Sequence, residues 1–126
     1  MTGPASTDTG EVEEIRPTDP EDLKIIALAR AALARSDAGE AACVRDIDGR
    51  TYAGVRVALP HLRLSAITVA VAMAVSSGAA GLEAAAVAGG NVPGLDDLAV
   101  IADLGGPGVV VWSVDPAGSV RARIES

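Results

Sequence analysis

DGRTYAG, residues 48–54, sets the fold of this chain. Its Asp-Gly pair is a strong signal for a tight turn between antiparallel strands. Residues 41–48 precede the turn, and residues 51–58 follow it with Thr, Tyr and Val, which favour extended backbone. The sequence therefore predicts a β-hairpin over these two ranges, with Pro60 closing its second strand.

The region before the hairpin divides into a tail and a helix. Residues 1–18 are rich in Thr, Pro, Gly and acids and have little apolar surface to offset the entropy of ordering, which predicts a disordered acidic tail. Asp19 and Pro20 suit the cap and first position of a helix, and apolar residues at spacings of three and four predict that it runs over about 20–35. One domain is expected over 19–126.

A second helix is predicted after the hairpin. Residues 64–75, LSAITVAVAMAV, are apolar on nearly every side, so we expect a buried helix. Its twelve residues are fewer than the ~20 that cross a bilayer, and no membrane span is predicted. Because one sheet face in a small domain cannot cover this much apolar surface, we expect a homo-oligomer, a dimer or a tetramer.

Four further elements are predicted from apolar runs bounded by Gly and Pro. They are a strand at 82–88, a helix at 95–104, a strand at 109–114 and an edge strand at 120–124. The edge strand is expected to pair antiparallel, with Arg121 and Arg123 facing solvent. The order of elements is then α-β-β-α-β-α-β-β.

Composition excludes several classes of protein. The chain has 126 residues, enough for one domain, and its single Cys and single His supply neither a disulfide framework nor a Cys/His zinc site. The net charge of −7 lies mostly in residues 1–22, and the bases are scattered, so nucleic-acid binding is not expected. The acidic, polar start is no secretory signal, which predicts a cytoplasmic location.

The order of elements and two motifs resemble the small cytidine deaminases. In that family a D-G turn leads into a [KR]-x-Y-x-G stretch, here residues 48–54, and the next helix ends in A-V-x-x-G, here residues 74–78. The resemblance runs from the first predicted helix to the last predicted strand. It implies a three-layer α/β fold, a mixed five-stranded sheet with helices on its faces, and assembly as dimers or tetramers.

The family's zinc-binding residues are missing from this sequence. The family holds zinc through the Cys or His of a C-A-E or H-A-E motif and two cysteines of a P-C-x-x-C motif, and the Glu transfers protons. With the A-V-x-x-G helix end as anchor, the first ligand falls on Ser65 and the Glu on Ile67. Residues 92–97 correspond to P-C-x-x-C and contain no Cys. The sequence therefore predicts no metal, no cofactor and no catalytic residue.

The family's ribose-binding N-x-E motif is also replaced, since it falls near residues 56–58, Arg-Val-Ala. Arg56, His61, Ser65 and Ile67 would then surround whatever pocket remains. Three functions stay open: an inactive scaffold or regulatory partner of another protein, a module that binds a nucleoside or related small molecule in a remodelled pocket, and a divergent deaminase. The first is favoured, and enzymatic activity is uncertain.

Other residues that often carry chemistry have simpler explanations here. Asp96, Asp97 and Asp103 are acids of the kind that bind hard metal ions. Asp96 is explained more simply by its position at the start of a helix, where the positive end of the helix dipole stabilises its charge. Cys43 and Trp112 are expected in the core. The Gly-rich residues 89–94 lack the spacing of a phosphate loop.

Overall fold

The computed structural model describes residues 15–126 and contains, within them, three helices and seven strands. In chain order these are α1 (Pro20–Ala34), β1 (Glu40–Asp46), β2 (Thr51–Val55), β3 (Val57–Ala58), β4 (Arg63–Leu64), α2 (Ala66–Ser76), β5 (Leu82–Gly89), α3 (Leu95–Gly105), β6 (Val110–Val114) and β7 (Val120–Glu125). The predicted tail falls mostly on residues 1–14, outside the described residues, and stays a prediction.

Five strands form one mixed sheet in the order β2-β1-β5-β6-β7. The β5 and β6 strands run parallel, and every other neighbouring pair is antiparallel. Helix α1 packs on one face of the sheet, and α2 and α3 pack on the other. The predicted three-layer α/β fold is therefore confirmed.

The sheet separates two apolar clusters, and β5 supplies both because its side chains alternate between the faces. Ala84, Ala86 and Ala88 belong to the α1 cluster, whereas Ala85 and Val87 belong to the cluster under α2 and α3. These side chains are small, so each helix layer lies close to the strand that crosses the centre of the sheet.

The predicted hairpin is confirmed, with two corrections to its bounds. Its first strand ends at Asp46 rather than residue 48, because the Asp46 carboxylate accepts hydrogen bonds from the turn amides of Asp48 and Arg50 at 2.9 Å each. Its second strand leaves the sheet after Val55, and the last bond to β1 runs from the Arg56 N–H to the carbonyl of Glu40, where β1 begins, at 3.0 Å.

The residues that leave the sheet form a second, smaller hairpin that the sequence did not predict. In this β3–β4 hairpin Val57 pairs with Leu64 and Ala58 pairs with Arg63. Pro60 lies in its turn. The small hairpin carries the chain from the edge of the large sheet to the start of α2.

Helix α2 begins at Ala66, two residues later than predicted, because Leu64 belongs to β4 and Ser65 caps the helix. One side of α2 is buried, but Met73 and Val75 on the other side are 40% and 55% exposed. The helix is therefore apolar on faces that residues 15–126 do not cover.

Close packing of α2 on the hairpin depends on Gly54. A Cβ atom at Gly54 would lie 2.6 Å from Cγ1 of Val69, closer than real Cβ atoms approach a neighbour. The glycine of the DGRTYAG stretch thus sets the distance between β2 and α2.

The last strand is an antiparallel edge strand, as predicted. Arg121 and Arg123 are both exposed in β7, but Arg121 also donates hydrogen bonds to the carbonyls of Gly89 and Gly90 and to the buried Ser113 hydroxyl. Arg121 therefore ties the edge strand to the end of β5. Within residues 15–126, none of the helices has the length and apolar character to span a membrane.

Candidate functional site

Four polar side chains meet where α2 and α3 begin, and we call this group, Glu40, Ser65, Thr68 and Asp97, the helix junction. Each comes from a different position in the fold: Glu40 opens β1, Ser65 caps α2, Thr68 lies in the first turn of α2, and Asp97 lies in the first turn of α3. The junction lies at the position where the family resemblance places the zinc.

The centre of the helix junction is a hydrogen bond between two helices. The Ser65 hydroxyl donates to Oδ1 of Asp97 at 2.7 Å, and it accepts from the backbone N–H of Thr68 at 3.1 Å. Its oxygen is also 2.9 Å from Oγ1 of Thr68. One serine side chain therefore caps its own helix and joins it to α3.

Glu40 fills a second part of the helix junction. Its Oε1 accepts a hydrogen bond from the backbone N–H of Ala66 at 2.9 Å. A carboxylate at this position is stabilised by the positive end of the α2 dipole. The start of α2 therefore already has an anionic partner from the chain itself.

A cavity of about 350 Å³ lies beside the helix junction, and we call it the junction cavity. Two arginines, Arg56 and Arg63, line it together with Glu40 and Ser65. The small hairpin adds apolar lining from Val57, Ala58 and Leu64. The arrangement offers cations, a carboxylate, a hydroxyl and apolar surface within one open depression.

The structure brings together two of the four residues predicted for a remodelled pocket. Arg56 and Ser65 both line the junction cavity. His61 is exposed in the turn of the small hairpin and is not part of the lining. Ile67 is 1% exposed and packs in the apolar cluster under α2, so its side chain is committed to the core.

Sequence reasoning missed Glu40 and Arg63, and it placed Asp97 at a helix start without its bond to Ser65. Glu40 precedes a strand and Arg63 follows the only His, and neither position carries a motif. The partners that give them meaning lie far along the chain, since Glu40 and Ala66 are 26 residues apart. No local signal could have identified them.

The junction does not fit a zinc ion. With Pro93 aligned to the proline of P-C-x-x-C, the three ligand positions hold Ser65, Gly94 and Asp97, of which only Asp97 is a usual zinc ligand. The Ser65 hydroxyl and the Asp97 carboxylate bond to each other. Across residues 15–126, no group of three His, Cys, Asp or Glu side chains is arranged to hold a metal.

The single cysteine of the chain, Cys43, does not lie at the helix junction. Cys43 is fully buried in the cluster between the sheet and α1, on the other side of the sheet from the junction. Burial raises the pKa of its thiol to about 11, against smaller opposing effects of Tyr52, Arg45 and Lys24. The protonated form persists at neutral pH, so Cys43 is a poor metal ligand and a poor nucleophile.

A second polar group surrounds the turn of the large hairpin, and we call this group, Asp46, Arg50 and Tyr52, the turn cluster. The Asp46 carboxylate is buried and accepts from the Arg50 Nε at 2.9 Å and the Tyr52 hydroxyl at 3.0 Å, besides the two turn amides. Burial by itself raises the pKa of Asp46, but these hydrogen bonds and the Arg50 charge outweigh it and lower the pKa.

Solved structures similar to this chain are cytidine deaminases. The enzyme from Burkholderia pseudomallei superposes with a TM-score of 0.69 at 24% identity, over 79% of this chain and 88% of that one. The enzyme from Mycobacterium leprae gives 0.67 at 24% identity, over 82% and 93%. The enzyme from Mycobacterium tuberculosis gives 0.66 at 23% identity, over 74% and 85%. These likenesses establish the fold.

Sequence comparison adds the family. None of the curated proteins matches this chain. A family model described as cytidine deaminase-like matches residues 18–118, a span that holds the turn cluster, the helix junction and the junction cavity. Since this match covers most of its length, the chain belongs to the cytidine deaminase-like family.

Proposed function

We propose that this chain is a member of the family that does not deaminate cytidine and that acts as a homo-oligomeric scaffold or regulatory partner in the cytoplasm. The observation that carries the proposal is the 2.7 Å hydrogen bond between Ser65 and Asp97. It joins two of the three positions where the family resemblance places zinc ligands, and it provides no site for a metal between them.

Hydrolytic deamination needs an activated water and a group that moves protons. In this family zinc lowers the pKa of the water from ~15.7 toward ~7. The donor set of the junction does not support that ion, and the position of the proton-transferring Glu holds the buried Ile67. The site for the activating metal and the proton-transferring group are both missing, which favours complete loss of deamination over a slower reaction.

Exposed apolar residues support the oligomeric part of the proposal. Met73 and Val75 leave α2 partly uncovered, at 40% and 55% exposure, and Leu95 at the start of α3 is 85% exposed. Burial of a side chain of this size is worth about 1.5–3 kcal/mol, so a second copy that covered these residues would gain stability.

The activity is tested with the purified full chain, supplied with zinc and incubated with cytidine or deoxycytidine. Released ammonia and the change in nucleoside absorbance measure turnover, and an active cytidine deaminase serves as the positive control. We expect no turnover above that of a heat-denatured sample. Turnover that rises with protein concentration would overturn the proposal and favour a divergent deaminase.

The assembly is tested by light scattering at micromolar protein concentration. We expect a dimer or a tetramer, and Met73→Glu should shift the chain toward monomer by placing a charge in an apolar contact. Ala27→Glu, on an exposed position of α1, is the matched control and should leave the mass unchanged. A strict monomer for the natural chain contradicts the scaffold proposal.

The junction cavity favours a second candidate, a module that binds a small molecule. Its volume of about 350 Å³ lies within the roughly 300–1,000 Å³ of ordinary ligand pockets, and its lining mixes apolar and charged groups. A thermal-shift panel of nucleosides, free bases and nucleoside monophosphates tests this candidate. If none of the compounds raises the melting temperature, the scaffold remains the favoured function.

A further inference from the structure

We propose that the junction cavity binds a small organic phosphate monoester, with the phosphate held between Arg56 and Arg63. This inference rests on the small-molecule candidate above and names its ligand class.

The two arginines are close neighbours because of the small hairpin. Arg63 pairs directly with Ala58 across the hairpin, and Arg56 precedes Ala58 by two residues. Arg56 lies immediately before β3, Arg63 opens β4, and both arginines line the cavity. Their charges therefore face a shared volume.

Neither guanidinium is used up by the fold. Arg56 donates through Nη2 to the Ala38 carbonyl at 2.6 Å, which fixes one end of the group and leaves its other N–H donors available. Arg63 is exposed and makes no ion pair or side-chain hydrogen bond with the rest of residues 15–126. Two adjacent cations with free donors lower the free energy of an anion placed between them.

The anion is better matched by a phosphate than by a carboxylate. One carboxylate is satisfied by one guanidinium in a bidentate pair, whereas a phosphate monoester carries about two negative charges and three oxygens, enough for both arginines. Glu40 lines the same cavity and repels a second anionic group, so the rest of the ligand should be uncharged.

The organic part of the ligand follows from the remaining lining. Glu40 Oε2 offers an acceptor for a hydroxyl or amino group, since Oε1 of Glu40 is taken by Ala66, whereas the Ser65 hydroxyl is occupied by Asp97 and Thr68. Val57 and Leu64 offer apolar contact. The ligand is thus a phosphate monoester whose organic part carries hydrogen-bond donors, such as a sugar or nucleoside moiety.

The test is calorimetric titration of the full chain at low salt with cytidine monophosphate and with cytidine, which differ only in the phosphate. We expect the monophosphate to bind at least about tenfold more tightly. Succinate and inorganic phosphate are the further arms, and both should bind more weakly than the monophosphate. Equal binding of cytidine and the monophosphate, or no binding of the monophosphate, overturns the proposal.

Variants locate the site. Arg63→Gln removes a side chain that the fold does not use, and it should weaken monophosphate binding about tenfold or more while cytidine binding stays unchanged. Arg56→Gln should act the same way, with its melting temperature measured because it also loses the bond to Ala38. Arg35→Gln, an exposed arginine at the end of α1, is the matched control. An equal loss in the control would show that the attraction is unspecific.

The proposal and the absence of deamination fail separately. Ammonia release from cytidine with zinc would overturn the inactive assignment without changing the arginine dependence of binding. A flat titration in a chain that also releases no ammonia would overturn the phosphate site alone.

Discussion

The turn cluster and the helix junction are both polar groups built around a carboxylate, but only the turn cluster matches a motif of the family. The turn cluster keeps the motif residues Arg50 and Tyr52, and both donate to the buried Asp46. In the helix junction, Ser65 and Asp97 stand where the resemblance places zinc ligands, and they bond to each other. The turn-cluster residues bond within the fold, whereas the family's zinc-ligand motifs are not matched at the junction, so one motif can indicate the fold without indicating the chemistry.

The largest effect is expected when the family's zinc-ligating cysteines are placed at the three corresponding positions of the helix junction. In the triple variant with Ser65→Cys, Gly94→Cys and Asp97→Cys, we expect zinc binding at least about a hundredfold tighter than in the natural chain, because three thiolates replace a hydroxyl, a hydrogen and one carboxylate. Competition with a chromophoric chelator measures it. Gly94→Cys alone is the control, and a folded, reduced triple variant that takes up no zinc would show that these three positions do not converge.

The next largest effect is expected when the carboxylate of the turn cluster is removed. Asp46→Ala leaves the donors of Arg50, Tyr52 and two turn amides without their partner, and we expect the melting temperature to fall by about 10 °C or more. Asp48→Asn is the matched control, since its side chain is 67% exposed and lies 3.7 Å from Arg50. Thermal unfolding followed by circular dichroism checks both.

The same carboxylate predicts a pH dependence. The folded pKa of Asp46 is lowered, so its contribution to stability is fully present above its unfolded pKa of about 3.9 and is lost as the pH falls through the folded value. The stability difference between the natural chain and Asp46→Asn should therefore shrink below about pH 4. Urea unfolding across that range measures it, and a constant difference would contradict the assignment.

A substitution at Gly54 tests whether the DGRTYAG stretch serves the packing of α2 on β2. Gly54→Ala places a methyl 2.6 Å from Cγ1 of Val69, and we expect a cost of about 1–3 kcal/mol in the free energy of unfolding. Val69→Ala removes that atom, so the double variant should lose less stability than the two single changes summed. Additive losses would mean that the contact between β2 and α2 is not limited by this glycine.

The smallest effect is expected at the helix junction. Ser65→Ala and Asp97→Ala should each cost about 1–2 kcal/mol, with Ser65 the larger because it also caps α2. A double-mutant cycle measured by chemical unfolding should return a coupling of about 0.5–1.5 kcal/mol. Asp96→Ala, in the same helix turn but exposed, is the control for the helix dipole and should not couple to Ser65.

The sequence could predict elements that depend on neighbouring residues, but not contacts between residues far apart in the chain. The turn at Asp48-Gly49, the cap at Asp19 and the apolar run at 82–88 bounded by Gly are local patterns, and the structure confirms the elements they predict. The bond between Ser65 and Asp97 joins residues 32 positions apart, so it depended on the finished fold. The small hairpin was missed because its strands have two residues each, too few to show a period.

Site prediction was limited by the same cause. Ser65 and Arg56 were identified from the positions they occupy in the family, and both line the junction cavity. His61 was chosen because it precedes the same helix, but it is exposed in the turn of the small hairpin and does not line the cavity. Arg63, two residues later, lines the cavity instead. Proximity along the chain did not reveal which side chain faces the cavity.

Trp112 gives the molecule an optical reporter of its own. It is the only tryptophan in a chain with one tyrosine and no phenylalanine, and it lies 5% exposed between the sheet and α1. Its indole N–H donates to Asp22 of α1 at 3.2 Å, and the Arg123 guanidinium lies 5.9 Å from the ring centre. Its fluorescence should therefore follow the detachment of α1, whereas Tyr52 senses the layer under α2. Intrinsic emission alone can distinguish which side of the sheet opens first.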